Sequence, residues 1–297
     1  MCLLACAASA RAQSLEPRAY SNTPVGMNFA IAGYAYQNGD VASDASLPLQ
    51  NAKVQVHTGF LAYARSLDVL GQAAKLELVL PYAGALGAAD AQLPGQTVHE
   101  SRDVDGFGDA QMRFSWNFYG APALSLEDFD QYEQDVIIGT SLLVTVPLSQ
   151  YDGDKLLNIG THRWSFKPEL GISKSWAPFI LELSVAGTFY TENHDFFHGN
   201  DRQQSPLGAA QLHGIYAFRR GIWGSLDFTY YVGGRTQLND HPATGLQSNT
   251  RLGGTLAIPV NKYNSIKLYG STGVSARAGG RFDTIGAAWQ VRWGGGL

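Results

Sequence analysis

Between Gly26 and Trp293 the chain alternates apolar and polar residues in stretches of roughly ten, joined by connections that are alternately short and long. Successive side chains of an extended strand point to opposite faces, so each stretch has one apolar and one polar side. The pattern predicts an all-β fold, a transmembrane antiparallel up-and-down β-barrel in an outer membrane. A soluble sandwich alternates too, but its polar face meets bulk water. The loop rhythm and the N-terminal residues separate these readings. No run of about 18 uninterrupted apolar residues occurs, so a helical span is not expected.

Aromatic residues mark the faces. In residues 107–118, Met112, Phe114, Trp116 and Phe118 oppose Asp109, Gln111, Arg113, Ser115 and Asn117. The first set reads as a lipid face and the second as a lumen face. Residues 179–190, 222–231, 251–260 and 284–293 repeat the pattern. A charge on the lipid face costs roughly 2–4 kcal/mol for Arg at the midplane, so the strand charges are placed inside. Residues 27–36, 53–65 and 73–82 alternate weakly, because Ala and Gly dilute them.

Residues 176–178, 219–221 and 261–265 read as tight periplasmic turns, with 119–134 a longer connection on the same side. Residues 37–52, 85–104, 148–162, 191–205 and 233–249 read as long surface loops. With both termini on the short side, about twelve strands are expected; a shift of one hairpin would make ten or fourteen. Pro81, Pro168 and Pro259 belong near strand ends or bulges, since proline removes a ladder donor. Tyr82, Trp164, Tyr190, Trp223, Tyr230, Tyr231 and Trp293 are expected as interfacial girdle residues.

The first residues are small and apolar, and Ala10-Arg11-Ala12 before Gln13 has the form of a signal-peptidase site. Residues 1–12 are expected to be a signal-peptide remnant that lacks its basic start, 13–25 an N-terminal periplasmic segment, and 26–297 a single barrel. A lipoprotein signal at Leu3-Leu4-Ala5-Cys6 is the rival reading. Cleavage after Ala12 would remove Cys2 and Cys6 and leave the mature chain without a thiol. Charged residues make up 15% and the net charge is −4, with no basic patch, so nucleic acid is not an expected partner.

Lumen positions carry both signs: Lys75, Glu77, Asp109, Arg113, Arg163, Lys167, Glu169, Glu182, Asp227, Arg251, Lys267 and Arg292. Such a set can line a pore and set its ion preference, or fill a closed barrel with salt bridges. Arg113, Arg163, Lys167, Glu169, Glu182, Asp227 and Arg251 are the expected channel-lining residues. Glu192, His194, Asp195, His198 and Asp201 could ligate a metal, but they fall in a surface loop with no helix to align them, and no metal or other cofactor is expected. Residues 103–109 resemble a calcium loop without its downstream Glu and read as a turn. His57 and His213 fall at polar positions, with no spacing that ties a Ser to either and no Gly-x-Ser-x-Gly motif, so an enzyme is not expected.

Several blocks resemble the outer-membrane family of phenol meta-degradation pathway proteins: residues 16–29, 106–109, 160–168, 204–206, 227–235 and 249–253, in the family's order. The resemblance implies a transporter-like outer-membrane barrel linked with aromatic-compound catabolism, and it carries no catalytic motif. The chain departs from the pattern in its incomplete signal and in ending Trp293-Gly-Gly-Gly-Leu297, not on an aromatic residue. The expected function is passive uptake of small aromatic or hydrophobic solutes by a monomer in contact with outer-membrane lipid and delivered by the barrel-assembly machinery. A closed structural or partner-binding barrel and an outer-membrane lipid hydrolase are the alternatives.

Overall fold

The computed structural model describes residues 16–42, 49–93, 96–155, 157–219, 221–276 and 279–297. Cys2, Cys6 and the cleavage site at Ala12 lie outside them. Among the described residues, sixteen strands and one short helix follow in chain order. They are β1 (Met27–Ala42), β2 (Leu49–Val69), β3 (Gln72–Leu93), β4 (Gln96–Phe107), β5 (Ala110–Tyr119), α1 (Leu126–Phe129), β6 (Val136–Val146), β7 (Ser165–Trp176) and β8 (Phe179–Tyr190). Then come β9 (Asn193–Phe196), β10 (Asn200–Gln204), β11 (Leu207–Arg219), β12 (Ile222–Gly233), β13 (Thr236–Leu238), β14 (Gln247–Pro259), β15 (Asn264–Ala276) and β16 (Gly279–Gly294).

Neighbouring strands pair antiparallel in sequence order, and β1 closes on β16 from Met27↔Gly294 to Ala42↔Gly279. β3 pairs with β5 near the turn end and with β4 towards the loop end. β4 and β5 are therefore one wall strand, broken at Gly108 and Asp109, where the Gly108 N–H donates to the Pro81 carbonyl at 2.8 Å. The barrel has twelve strands, as the alternation predicts, and the ten- and fourteen-strand counts fall away. Closure pairs every wall strand on both sides, which a strand in lipid requires. No helix of the described residues is long and apolar enough to cross a membrane.

The exterior carries large exposed apolar side chains, among them Leu61, Leu226 (80%) and Ile285. Water would penalise such a continuous band, whereas lipid solvates it. Exposed aromatic residues edge the band: Tyr119, Trp176, Phe179, Phe218 and Trp293 at the turn end, and Tyr82, Phe107, Trp164 and Tyr230 at the loop end. Three expected girdle residues belong to the interior instead. Tyr231 is fully buried, Trp223 lines the lumen, and Tyr190 lies under the Arg163 guanidinium. Alternation explains Tyr190 and Tyr231, because each follows an outward aromatic residue and must point inward.

The expected loops 37–52 and 85–104 are mostly strand. β1 runs to Ala42, β2 starts at Leu49, β3 runs to Leu93 and β4 starts at Gln96. β2 and β3 hold 21 and 22 residues, against the roughly 9–11 that cross a membrane. Their outer halves project past the lipid, where the pattern inverts: Ala52, Val54, Val56, Ala83, Ala85 and Ala89 point in, while Lys53, Gln55 and His57 point out. Leu157 and Ile159 of the 147–164 loop, Phe196 of β9 and Phe282 of β16 pack on this inner face. The loop end of the barrel is thus filled by an apolar cluster. Above it β9, β10 and β13 form a three-stranded sheet.

Candidate transport lumen

At the turn end, the described part of the segment expected in the periplasm, residues 16–25, enters the barrel. Its downstream half is fixed by backbone hydrogen bonds, Val25 N–H to Leu124 O at 2.9 Å and Gly26 N–H to Ser66 O at 3.1 Å. Its upstream half rises along the charged wall. The Tyr20 hydroxyl donates to Glu169 at 2.8 Å, and the Arg18 backbone N–H donates to Glu182 at 2.6 Å. The Arg18 guanidinium stands 5.5 Å from the Trp223 ring. Arg113 grips the Glu16 carboxylate with both guanidinium ends, one contact being Nη2 to Oε1 at 2.6 Å. Tyr20 fits because β6 and β7 present Gly139 and Gly171, where a Cβ would lie 2.8 and 2.1 Å from its ring.

Between this segment and the apolar cluster lies a cavity of about 580 Å³. Its lining has two chemically unlike parts. Phe29, Ile31, Phe60, Ala62 and Val79, from β1, β2 and β3, make an apolar stretch. Lys75 and Glu77, next to Val79 on β3, and Arg113, Arg251 and Lys267 make a charged one. Lys75 pairs with Glu77 at 3.6 Å. Lys267 has no carboxylate within ion-pair distance among the described residues.

Of the expected channel-lining residues, Arg113 and Arg251 line this cavity. The others belong to the wall or the loop end. Lys167 lies 3.5 Å from Glu169. Glu182 is buried and holds the Arg18 backbone. Asp227 accepts from Ser225 at 3.1 Å and shares a 2.7 Å bond with His213 Nδ1. Arg163, buried above the cavity, donates to Gln204 and stacks 4.3 Å from the Tyr190 ring. Arg292 caps a turn by donating to the Lys262 carbonyl at 2.7 Å. Sequence reasoning missed Glu16, Arg18 and Tyr20 as lumen residues. Their signal is the 16–29 block, an ordered stretch ahead of the first strand.

The hydrolase reading needs a Ser on a His. His213 meets Asp227 and Gln211, and His57 meets Tyr34. Ser225 donates to Asp227, on the carboxylate's other oxygen, and among the described residues no serine hydroxyl is hydrogen-bonded to His213 or His57. In the loop sheet His194 pairs with Asp201 at 2.7 Å, and His198 with Asp154 at 3.3 Å. No group of three metal-ligating side chains forms among the described residues. The hydrogen bond to Asp201 raises the His194 pKa above its ordinary value, and burial raises that of Tyr151.

The chain is similar to the COG4313 outer membrane channel from Pseudomonas putida F1, at 18% identity over 94% of this chain and 100% of that one, with a TM-score of 0.78. It is also similar to the transport unit of the autotransporter AIDA-I from Escherichia coli (8% identity, 94% and 93% covered, TM-score 0.54). The beta domain of the Bordetella autotransporter BrkA gives 12% identity, 91% and 100% coverage and a TM-score of 0.51. At these identities the likenesses establish the fold, an outer-membrane barrel. No curated protein matches the chain. A family model described as "Putative MetA-pathway of phenol degradation" matches residues 35–291, from the middle of β1 to the end of β16, and to that family the chain belongs.

Proposed function

We propose that the protein is an outer-membrane channel for passive uptake of small aromatic or hydrophobic solutes, with no catalytic role. The observation that carries this reading is the cavity inside a closed barrel, whose lining joins an apolar stretch to a charged, mainly cationic one. An aromatic solute can pack on Phe29 and Phe60 while its polar group stays hydrated near Lys75. The names of the family and of the structural relative, one referring to phenol degradation and the other to a channel, agree with it. The apolar cluster at the loop end passes such a solute more readily than a hydrated ion, since it offers no hydrogen bonds to replace lost water.

The test is planar-bilayer conductance of the refolded protein, together with uptake of benzyl alcohol into liposomes that carry it. Protein-dependent uptake is expected, with only small conductance steps, because the apolar cluster impedes ions. A silent bilayer and no uptake, from protein shown to be folded, would overturn the reading. A partner-binding barrel, favoured by the ordered loop sheet, would then stand in its place. We further infer a signal peptide over residues 1–12, delivery by the barrel-assembly machinery and a monomer in the membrane. N-terminal sequencing and native mass spectrometry check the cleavage and the monomer.

A further inference from the structure

We propose that the cavity is a carboxylate-binding site whose cargo is an aromatic monocarboxylate anion, and that Glu16 is a built-in competitor for it. This rests on the channel reading and names the chemical class of its solute.

The cationic wall already holds one carboxylate, that of Glu16 on Arg113. A planar guanidinium pairs best with a carboxylate in this two-point geometry. Glu16 is not part of the barrel wall; it belongs to a segment anchored downstream at Val25 and Gly26. It can leave Arg113 without unpairing a strand. Its departure alone would strip a half-dehydrated cation of its partner, which is costly. A solute carboxylate that takes its place removes that cost, so exchange is favoured over simple opening.

The charge balance points the same way. The cavity lining carries Arg18, Lys75, Arg113, Arg251 and Lys267 against Glu16 and Glu77. Among the described residues Lys267 has no carboxylate within ion-pair distance, and it faces the same space from a partly buried position. A solute anion meets Lys267 as an unused point charge and Arg113 as a fork it must win from Glu16. The apolar stretch of the lining, with Phe29, Phe60 and Val79, receives the ring. The volume of about 580 Å³ is in the range of roughly 300–1,000 Å³ usual for small-molecule sites. Displacing Glu16 removes one of the contacts that hold the segment at the turn end, while those of Arg18 with Glu182 and Tyr20 with Glu169 remain.

Calorimetric titration of benzoate into the refolded wild-type, Glu16→Gln and Lys267→Met proteins tests this, with heat-modifiable electrophoretic mobility confirming that each barrel is folded. Removing the competitor should tighten benzoate binding about tenfold, and removing the free cation should weaken it about tenfold, the loss of one charge-assisted contact. Unchanged or weaker binding by Glu16→Gln overturns the competition, and unchanged binding by Lys267→Met overturns the site. Liposomes carrying the wild-type protein separate this from the channel reading. Entry of benzyl alcohol without any benzoate binding leaves the channel and removes the carboxylate site. Benzoate binding without entry of either solute leaves the site and removes the channel.

Discussion

Asp109 carries a charge at an inward-facing position, yet it does not line the central cavity. Its carboxylate accepts from the backbone N–H and hydroxyl of Ser149, at 3.3 and 2.7 Å, and from those of Thr161, at 3.0 and 3.1 Å. It breaks the β4–β5 wall strand in order to hold the 147–164 loop. Asp109→Ala would strand several buried donors, and the cost is expected to be about 3 kcal/mol. Faster tryptic cleavage at Lys155, with the barrel still folded, would show it; equal cleavage in wild type and variant would refute it. Arg113 and Arg251 differ from Asp109 because they face the cavity. Arg113→Ala and Arg251→Ala should lower anion preference, read as a shift in reversal potential across a salt gradient. Reversal potentials equal to wild type would remove both from the pore. The period of two could place Asp109, Arg113 and Arg251 on one face, but it could not say which would meet a loop, a neighbouring strand or open space. That depends on what fills the lumen, and the filling comes from residues distant in the chain.

At the scale of elements, the sequence showed the wall best where lipid enforces the pattern. β5, β8, β12 and β16 alternate sharply because an inward slip would put charges in hydrocarbon. β2 and β3 were misjudged at their outer ends because they leave the membrane there. Beyond the lipid, Val54 and Val56 turn inward against Leu157 while Lys53 and Gln55 meet water, so the same alternation carries the opposite polarity. A reading tuned to apolar-out strands sees this as loop. The N-terminal segment was illegible for another reason: its hold on the barrel is a scatter of polar contacts, among them those of Glu16, Arg18, Tyr20 and Asn22, with no periodicity. The surface sheet is held partly by His194 of β9 on Asp201 of β10. Because the folded-state pKa of His194 is raised, this contribution is fully present below the ordinary histidine value of about 6.5 and is lost as pH rises through the raised value. NMR titration should find His194 above that ordinary value and Asp201→Asn restoring it. Loop-sheet amide shifts should move with the same midpoint in the wild type. A His194 that titrates identically in both proteins would rule out the coupling.

Across the whole molecule the lumen holds two obstacles in series, chemically unlike. At the loop end Leu157, Ile159 and Phe196 pack on the inner faces of β2 and β3 and exclude ions by offering no polar partner. At the turn end the Glu16–Arg113 pair and the Tyr20–Glu169 bond hold a segment across the passage. Resistances in series add, so relieving the smaller one changes little while the larger remains. Leu157→Gln loosens the first obstacle and Glu16→Gln the second. The double variant should therefore conduct more than the summed gains of the single variants. Salt separates the two again. Ion pairs are screened as the Debye length falls from about 10 Å at 0.1 M to about 3 Å at 1 M, whereas apolar contacts are not. In Leu157→Gln the segment is the main barrier left, and conductance should rise with salt more steeply than bulk conductivity. In Glu16→Gln it should follow bulk conductivity, since the remaining barrier is apolar. Single-channel currents of both variants across this salt range decide the matter: equal slopes would mean one obstacle, not two.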